Sequence, residues 1–530
     1  MAYTSTVLGL LFSAAIFVYG CARLFVSRRP PNFPPCPPTV PILGNLHQLS
    51  SDKQYLGLAE LCRKYSSHGL MGLQLGPSTY AVVINSWKVA RDLLDHRGAV
   101  YSSRPLFPAA SLILPPPGDY NLAMLPYGSK WRRERKTTME FIKESEMEKR
   151  SPLEEAESSQ FMHELLVEPH RFDEHSLRYH GGIIMISLFG TRAKNFDDNS
   201  LVKRYFDLER RWEIVTAPGA VPPYDIFPFL KILPECLTPW RGWKQQVKFL
   251  KQNLHPLYRE LVDGARERMA QGRSAMCFMQ TVLRDREKNE YSDIDIDYLA
   301  GALMEAATVT TAASFKSFLL AMAAYPSVLK MAQQEVDAFY GSDKMPTGIV
   351  ELPYLTACAL EIFRWRPVVS DGVPHATTED DIYEGFFIPA NTKVIMNVWG
   401  INHDPDEFDN PGEFDPTRFL RHPSGSKASL VQSSGSEVRR SVWTFGGGRR
   451  VCPGQEMALR RLLLTMAKCV WCFDIEAVSP DELDTGVNNF KGGAMIPKPF
   501  EARFRVRAED RKRIIESEWG KADAYLKQFE

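Results

Sequence analysis

Apolar residues along the chain follow three patterns: one unbroken run, short alternating stretches, and long segments with helical spacing. The unbroken run comes first. Val7 to Val26, VLGLLFSAAIFVYGCARLFV, holds eleven Leu, Ile, Val or Phe in 20 residues, about the length a helix needs to cross a bilayer. Arg23 lies near its end, where a long side chain reaches the interface. Arg28 and Arg29 follow, and no basic residue precedes Arg23, so the positive-inside rule puts the rest of the chain in the cytosol. A cleaved signal peptide would have a shorter apolar core before a small-residue cleavage site. Residues 1–29 are therefore expected to stay as a membrane anchor. Seven prolines between Pro30 and Pro41 make residues 30–44 a semi-rigid hinge.

The alternating stretches predict small sheets. Gly69 to Ile84, GLMGLQLGPSTYAVVI, reads as a hairpin, and further strands are expected in VPHATTEDDIYEGFFIPANTKVIMNVW and near the C-terminus. Most of the remainder has helical periodicity. Asp297 to Tyr325 is one long, alanine-rich helix stopped by Pro326. Leu430 to Arg440 reads as a polar surface loop, and the charged stretch 509–530 as an exposed helix or frayed tail. No internal repeat or linker divides residues 45–508. The expectation is one domain, mainly α with small β-sheets (α+β), preceded by one transmembrane helix.

Charge excludes some functions. With 64 basic and 64 acidic residues, nothing global favours nucleic acid. Nine cysteines, an odd number spread over a long chain, do not form a disulfide framework; Cys469 and Cys472 are read as two core positions of one helix. Cys452 differs. In FGGGRRVCPG, Gly446, Gly447 and Gly448 let the backbone approach a bulky group. Arg449 and Arg450 favour a thiolate, and Pro453 suits the first turn of a following helix, whose N-terminus further stabilises negative charge. Cys452 is thus offered as a metal ligand or a nucleophile.

Phe445, Gly448, Arg450, Cys452 and Gly454 match, in order and spacing, the Phe-x-x-Gly-x-Arg-x-Cys-x-Gly haem-binding signature of the cytochrome P-450 monooxygenases. Glu361 and Arg364 in EIFR, then Pro416, Arg418 and Phe419 in DPTRF, resemble two further family patterns. The resemblance covers nearly the whole chain; the anchor and hinge resemble the microsomal branch, and the surroundings of the motifs fungal secondary-metabolism members. It implies Cys452 as ligand to the iron of haem b, with Phe445, Gly448 and Gly454 around it. Trp131 and Arg135 in WRRER, Arg450, and His375 would meet the haem propionates. Thiolate ligation favours O–O bond cleavage. The implied activity is monooxygenation of a hydrophobic small molecule at the endoplasmic reticulum membrane. Electrons would come from NADPH through a cytochrome P-450 reductase, with a cytochrome b-type protein as a further donor. By the same analogy the substrate would meet the 104–125 loop, the middle of the long helix, PVVSDGV and KGGAMIP, while Val221–Pro234 dips into the membrane surface.

One departure is visible. Where the family's oxygen-binding helix has Ala/Gly-Gly-x-Asp/Glu-Thr-Thr/Ser, residues 306–311 read AATVTT. Thr310 keeps the hydroxyl, but Ala307 replaces glycine and Val309 the acid, and valine cannot relay a proton. Glu305, one helical turn before Val309, is the substitute acid through water. Two alternatives stay open: a haem-thiolate isomerase, dehydratase or coupling catalyst without the usual relay, and a non-catalytic haem-binding membrane protein.

Overall fold

The computed structural model describes residues 29–272, 277–348, 351–427, 439–479, 481, 483–491 and 494–530. The expected anchor, most of the expected 430–440 loop, and Gly492 and Gly493 lie outside the described residues. Among the described residues eleven helices run for twelve residues or more: α1 (Gln54–Tyr65), α2 (Ser129–Phe141), α3 (Glu144–Val167), α4 (Phe172–Phe189), α5 (Leu201–Thr216), α6 (Trp243–Ala270), α7 (Asp293–Ala324), α8 (Pro326–Tyr340), α9 (Pro353–Trp365), α10 (Gln455–Cys472) and α11 (Glu509–Leu526).

The long helix α7 begins four residues before the sequence pattern predicts. Ser292 accepts the Asp295 N–H at 3.3 Å, and Asp295 returns a bond to the Ser292 N–H at 3.1 Å. This reciprocal cap satisfies two otherwise orphaned amides and starts the helix in a polar stretch. α7 is also long and apolar enough to cross a membrane, but most of that span is buried inside the protein. It is the central core helix, packed against α4, α6, α9 and α10.

The expected hairpin forms as β1 (Leu70–Gln74) and β2 (Tyr80–Ile84), antiparallel, with Leu70 opposite Ile84. β2 continues into a parallel pairing with β6 (Lys393–Met396), which carries β3 (His375–Ala376) on its other edge. Both faces are covered: Leu70, Val82 and Ile84 enter one apolar cluster, and Met71, Leu73, Ala81 and Val83 another. Alternation here sorts side chains between two cores rather than between core and water. Two smaller hairpins complete the sheets, β4 (Asp381–Tyr383) with β5 (Phe386–Ile388) and β7 (Phe473–Ala477) with β8 (Ala502–Val506).

The charged stretch forms a helix, one of the two expected forms, but a docked one. α11 packs along α3, burying Ala522 and Leu526 against Leu153, Ala156 and Ile186, while Ile515 enters the large cluster around α7 and α9. Arg192 ties its end to Asp523 and Glu530 at 2.8 and 2.7 Å. Cys469 and Cys472, in contrast, are core residues of α10 as expected.

Candidate functional site

Cys452 lies three residues before α10, on a loop closed by its own N–H donating to the Phe445 carbonyl at 2.8 Å. The helix starts at Gln455, so Pro453 stands just outside it rather than in its first turn. Gly446 and Gly448 hold left-handed backbone angles, with φ of 78° and 61°. At Gly448 the missing side chain serves protein packing: a Cβ there would sit 1.9 Å from the Leu94 carbonyl oxygen. Asp95 accepts the Gly448 N–H and the Arg440 guanidinium, both at 2.6 Å, which seats the loop on the 91–96 turn. A Cβ at Gly454 would lie 4.0 Å from the Cys452 sulfur, and the Phe445 ring meets Phe363 edge-on at 4.9 Å.

Cys452 is exposed at its surface yet closely surrounded by protein atoms. The resulting desolvation raises its thiol above the usual value, while the Gly454 amide and Arg135 pull it down. The guanidinium that acts on the sulfur is thus Arg135, from α2, and not the adjacent Arg449, which donates to the Tyr127 hydroxyl at 2.6 Å.

Asp95 serves the Gly448 amide and Arg440; the other cations around this loop have no carboxylate partner among the described residues. Arg135 donates to the Val451 carbonyl at 2.7 Å. Arg450 lies over the Trp131 ring at 4.3 Å and donates to the Ser102 and Leu125 carbonyls at 2.8 and 2.6 Å. Its Nη1 is buried with no hydrogen-bond partner among the described residues. Burial, then Arg135, lowers Arg450 to about 10. Arg104, which sequence reasoning missed, donates to the carbonyls of Ala123, Val373 and Pro374 and is held well below its usual value by burial and then Arg450. Its only local signal is the stretch SSRP. His375 Nδ1 donates to the Tyr101 carbonyl at 2.7 Å. Burial, then Arg104, keeps its ring neutral, leaving Nε2 as an acceptor. Buried cations held apart only by carbonyl contacts are costly until an anion joins them. A dianionic, flat group carrying its own metal fits this set, with the soft thiolate for the metal and the arginines for the acid groups.

On α7, Thr310 donates to the Ala306 carbonyl at 2.8 Å, and Val309 packs on the apolar cluster shared by α4, α5 and α6. Glu305 engages other elements. Its carboxyl accepts the Trp212 indole N–H at 3.0 Å and the Asn121 amide at 2.9 Å. No hydrogen bond among the described residues joins it to Thr310. Desolvation raises Glu305 to about 7. Farther off, Glu361 takes both nitrogens of Arg364 at 2.7 Å and Arg418 at 3.1 Å, all buried. Arg364 also donates to the Asn402, Pro411 and Glu413 carbonyls, so the triad binds α9 to the segment leading to the cysteine loop.

The cytochrome P-450 family model matches residues 34–504. The chain belongs to the cytochrome P-450 family. It is 34% identical over 520 residues to a cytochrome P-450 monooxygenase of Arthrobotrys oligospora, covering 95% of this chain and 94% of the relative. A monooxygenase of Armillaria gallica is 32% identical over 523 residues, covering 96% and 95%. The monooxygenase patI of Aspergillus clavatus is 31% identical over 532 residues, covering 99% and 98%. These matches make the chain a cytochrome P-450 monooxygenase, whose family holds haem b and takes electrons from NADPH through a reductase.

Proposed function

We propose that this cytochrome P-450 is a membrane-anchored oxidase of an apolar small-molecule intermediate in fungal secondary metabolism, working on the cytosolic face of the endoplasmic reticulum. The fungal relatives support the setting. One observation carries the site: three arginines without a carboxylate partner among the described residues, Arg104, Arg135 and Arg450, converge on the loop that presents Cys452. In this reading Cys452 ligates the iron, Trp131, Phe445, Gly448 and Gly454 shape the surroundings, and the arginines hold the propionates. His375 joins them once an anion raises its ring and supplies the second N–H.

Bound haem with a thiolate ligand supplies dioxygen activation and an oxidant for unactivated C–H bonds. The chain excludes water, orients the substrate and presents the Thr310 hydroxyl on α7. Val309 offers no proton, so Glu305, titrating near neutrality, is the nearest acid on α7 that can exchange one through water. The exposed side chains of Phe229, Ile232 and Leu237, with Ile42 and Leu43 at the hinge, support a membrane-facing surface beside the anchor.

Val309 also supports a second reading, a haem-thiolate isomerase or dehydratase that needs no proton relay. Co-expression with an NADPH-dependent reductase, followed by product analysis under labelled dioxygen, separates the two. Monooxygenation predicts product that requires NADPH and carries one labelled oxygen. Product formed without NADPH or dioxygen overturns it.

A further inference from the structure

Above the middle of α7 lies a polar cluster that the haem contacts do not use. α5 contributes Tyr205, Glu209 and Trp212, α6 contributes Tyr258, and the 104–125 segment contributes Asn121. Glu305 is gripped by Trp212 and Asn121, one on each carboxyl oxygen. Glu209, 4% exposed, has only the Tyr205 hydroxyl at 3.4 Å. Neither acid has an ion pair among the described residues. Beside them a cavity of about 10 Å³ is lined by Asn121, Trp212, Tyr258, Tyr298 and Glu305 on its polar side, and by Leu114, Leu254 and Ala302. Room of this size holds one water or the polar tip of a larger molecule.

Tyr258 is the observation that points to a ligand. It is 4% exposed and lines the cavity, yet its hydroxyl has no hydrogen-bond partner among the described residues. Its ring lies on Gly301, where a Cβ would come within 2.3 Å. Glycine in mid-helix weakens the helix relative to alanine, and here it admits a phenol onto the α7 face that carries Glu305 one turn later. A hydroxyl on the cavity wall with no protein partner among the described residues and a carboxyl with lone pairs to spare are both open to a polar group placed between them.

We propose that this cluster anchors the substrate's head group: Glu305 and Tyr258 receive a hydrogen-bond donor, a hydroxyl or a protonated amine, on an otherwise apolar molecule. The proposal rests on the monooxygenase reading and names its substrate class. Glu305 accepts from the head and Tyr258 donates to it or accepts from it; Leu114, Leu254 and Ala302 close the same small cavity, so only the head enters it and the apolar body stays outside. Five residues separate Glu305 from Thr310, a rise of about 7.5 Å along the helix. The head is therefore held away from the carbon to be oxidised.

Binding to the haem-loaded full chain in detergent tests this, with calorimetry as the readout and three probes of one shape: biphenyl, 4-phenylphenol and 4-phenylbenzylamine. The absorption spectrum separates amine bound directly to iron from amine bound elsewhere. At least one donor probe should bind about ten- to a hundredfold more tightly than biphenyl, the range for a hydrogen bond to a charged group. The tighter of the two identifies the head. Glu305→Gln and the near-isosteric Tyr258→Phe should each remove much of that preference while leaving biphenyl unchanged. Equal affinity for all three probes, no binding of any, or a preference that survives both substitutions overturns the anchor. A thiolate-type carbon monoxide spectrum in the same sample keeps the haem-thiolate site whichever way the probes fall, and its loss in the wild type overturns that site instead.

Discussion

Desolvation favours the neutral thiol at Cys452, and the Gly454 amide and Arg135 oppose that; in the proposed reading, binding the iron displaces the proton. The arginines face the converse problem. Burial and then Arg450 lower Arg104, burial and then Arg135 lower Arg450, and an anion relieves both. Arg104→Ala and Arg450→Ala should each weaken haem retention by about ten- to a hundredfold, one charged hydrogen bond's worth, read as haem transfer to an acceptor protein. The cysteine loop was legible in the sequence because its residues are contiguous. Arg104 was not, because its partners Ala123, Val373 and Pro374 are brought to it only by folding. The same holds for Tyr258 and Gly301. Glu305 makes a pH prediction. Desolvation raises it from 4.5 to about 7, with Glu209 and Glu213 from α5 also facing it. The folded state holds a proton that the unfolded state releases, so this stability is full below about pH 4.5 and lost as pH rises through about 7. The loss is on the order of 3 kcal/mol. Glu305→Gln should flatten the fall in melting temperature between pH 5 and 8; an unchanged slope contradicts the assignment.

Among elements, α7 and the β1–β2 hairpin were readable because period and breakers agree. Their refinements came from single contacts. Ser292 and Asp295 moved the start of α7, and apolar clusters on both faces of β2 bury the strand of the expected hairpin. α11 was read as an exposed helix or a frayed tail; it is a helix, and its dense charge hides a sparse apolar stripe, with Ala522 and Leu526 docked on α3 and Ile515 in the large cluster around α7. Ile515 and Leu526 are each 0% exposed. Deleting residues 509–530 should therefore cost about 3 to 6 kcal/mol, some 1.5 to 3 for each large side chain. For a chain this long, that lowers the melting temperature by about 3 to 6 °C. A truncated protein that melts with the full chain would show the helix to be an appendage.

At the scale of the whole molecule, one core gathers around α7, and the buried Glu361–Arg364–Arg418 triad fixes α9 against the approach to the cysteine loop. Removing residues 1–29 should release most of the protein from membranes with haem binding intact; full retention in high salt would assign the attachment to the Phe229–Leu237 surface. The central claim, that Cys452 is the thiolate ligand of a haem, is tested most directly by the absorption spectrum of the reduced carbon monoxide complex in the wild type and in Cys452→Ala. The account predicts a thiolate-type band in the wild type and its complete absence in the variant. A thiolate-type band that persists in Cys452→Ala, or none in a haem-loaded wild type, would contradict it.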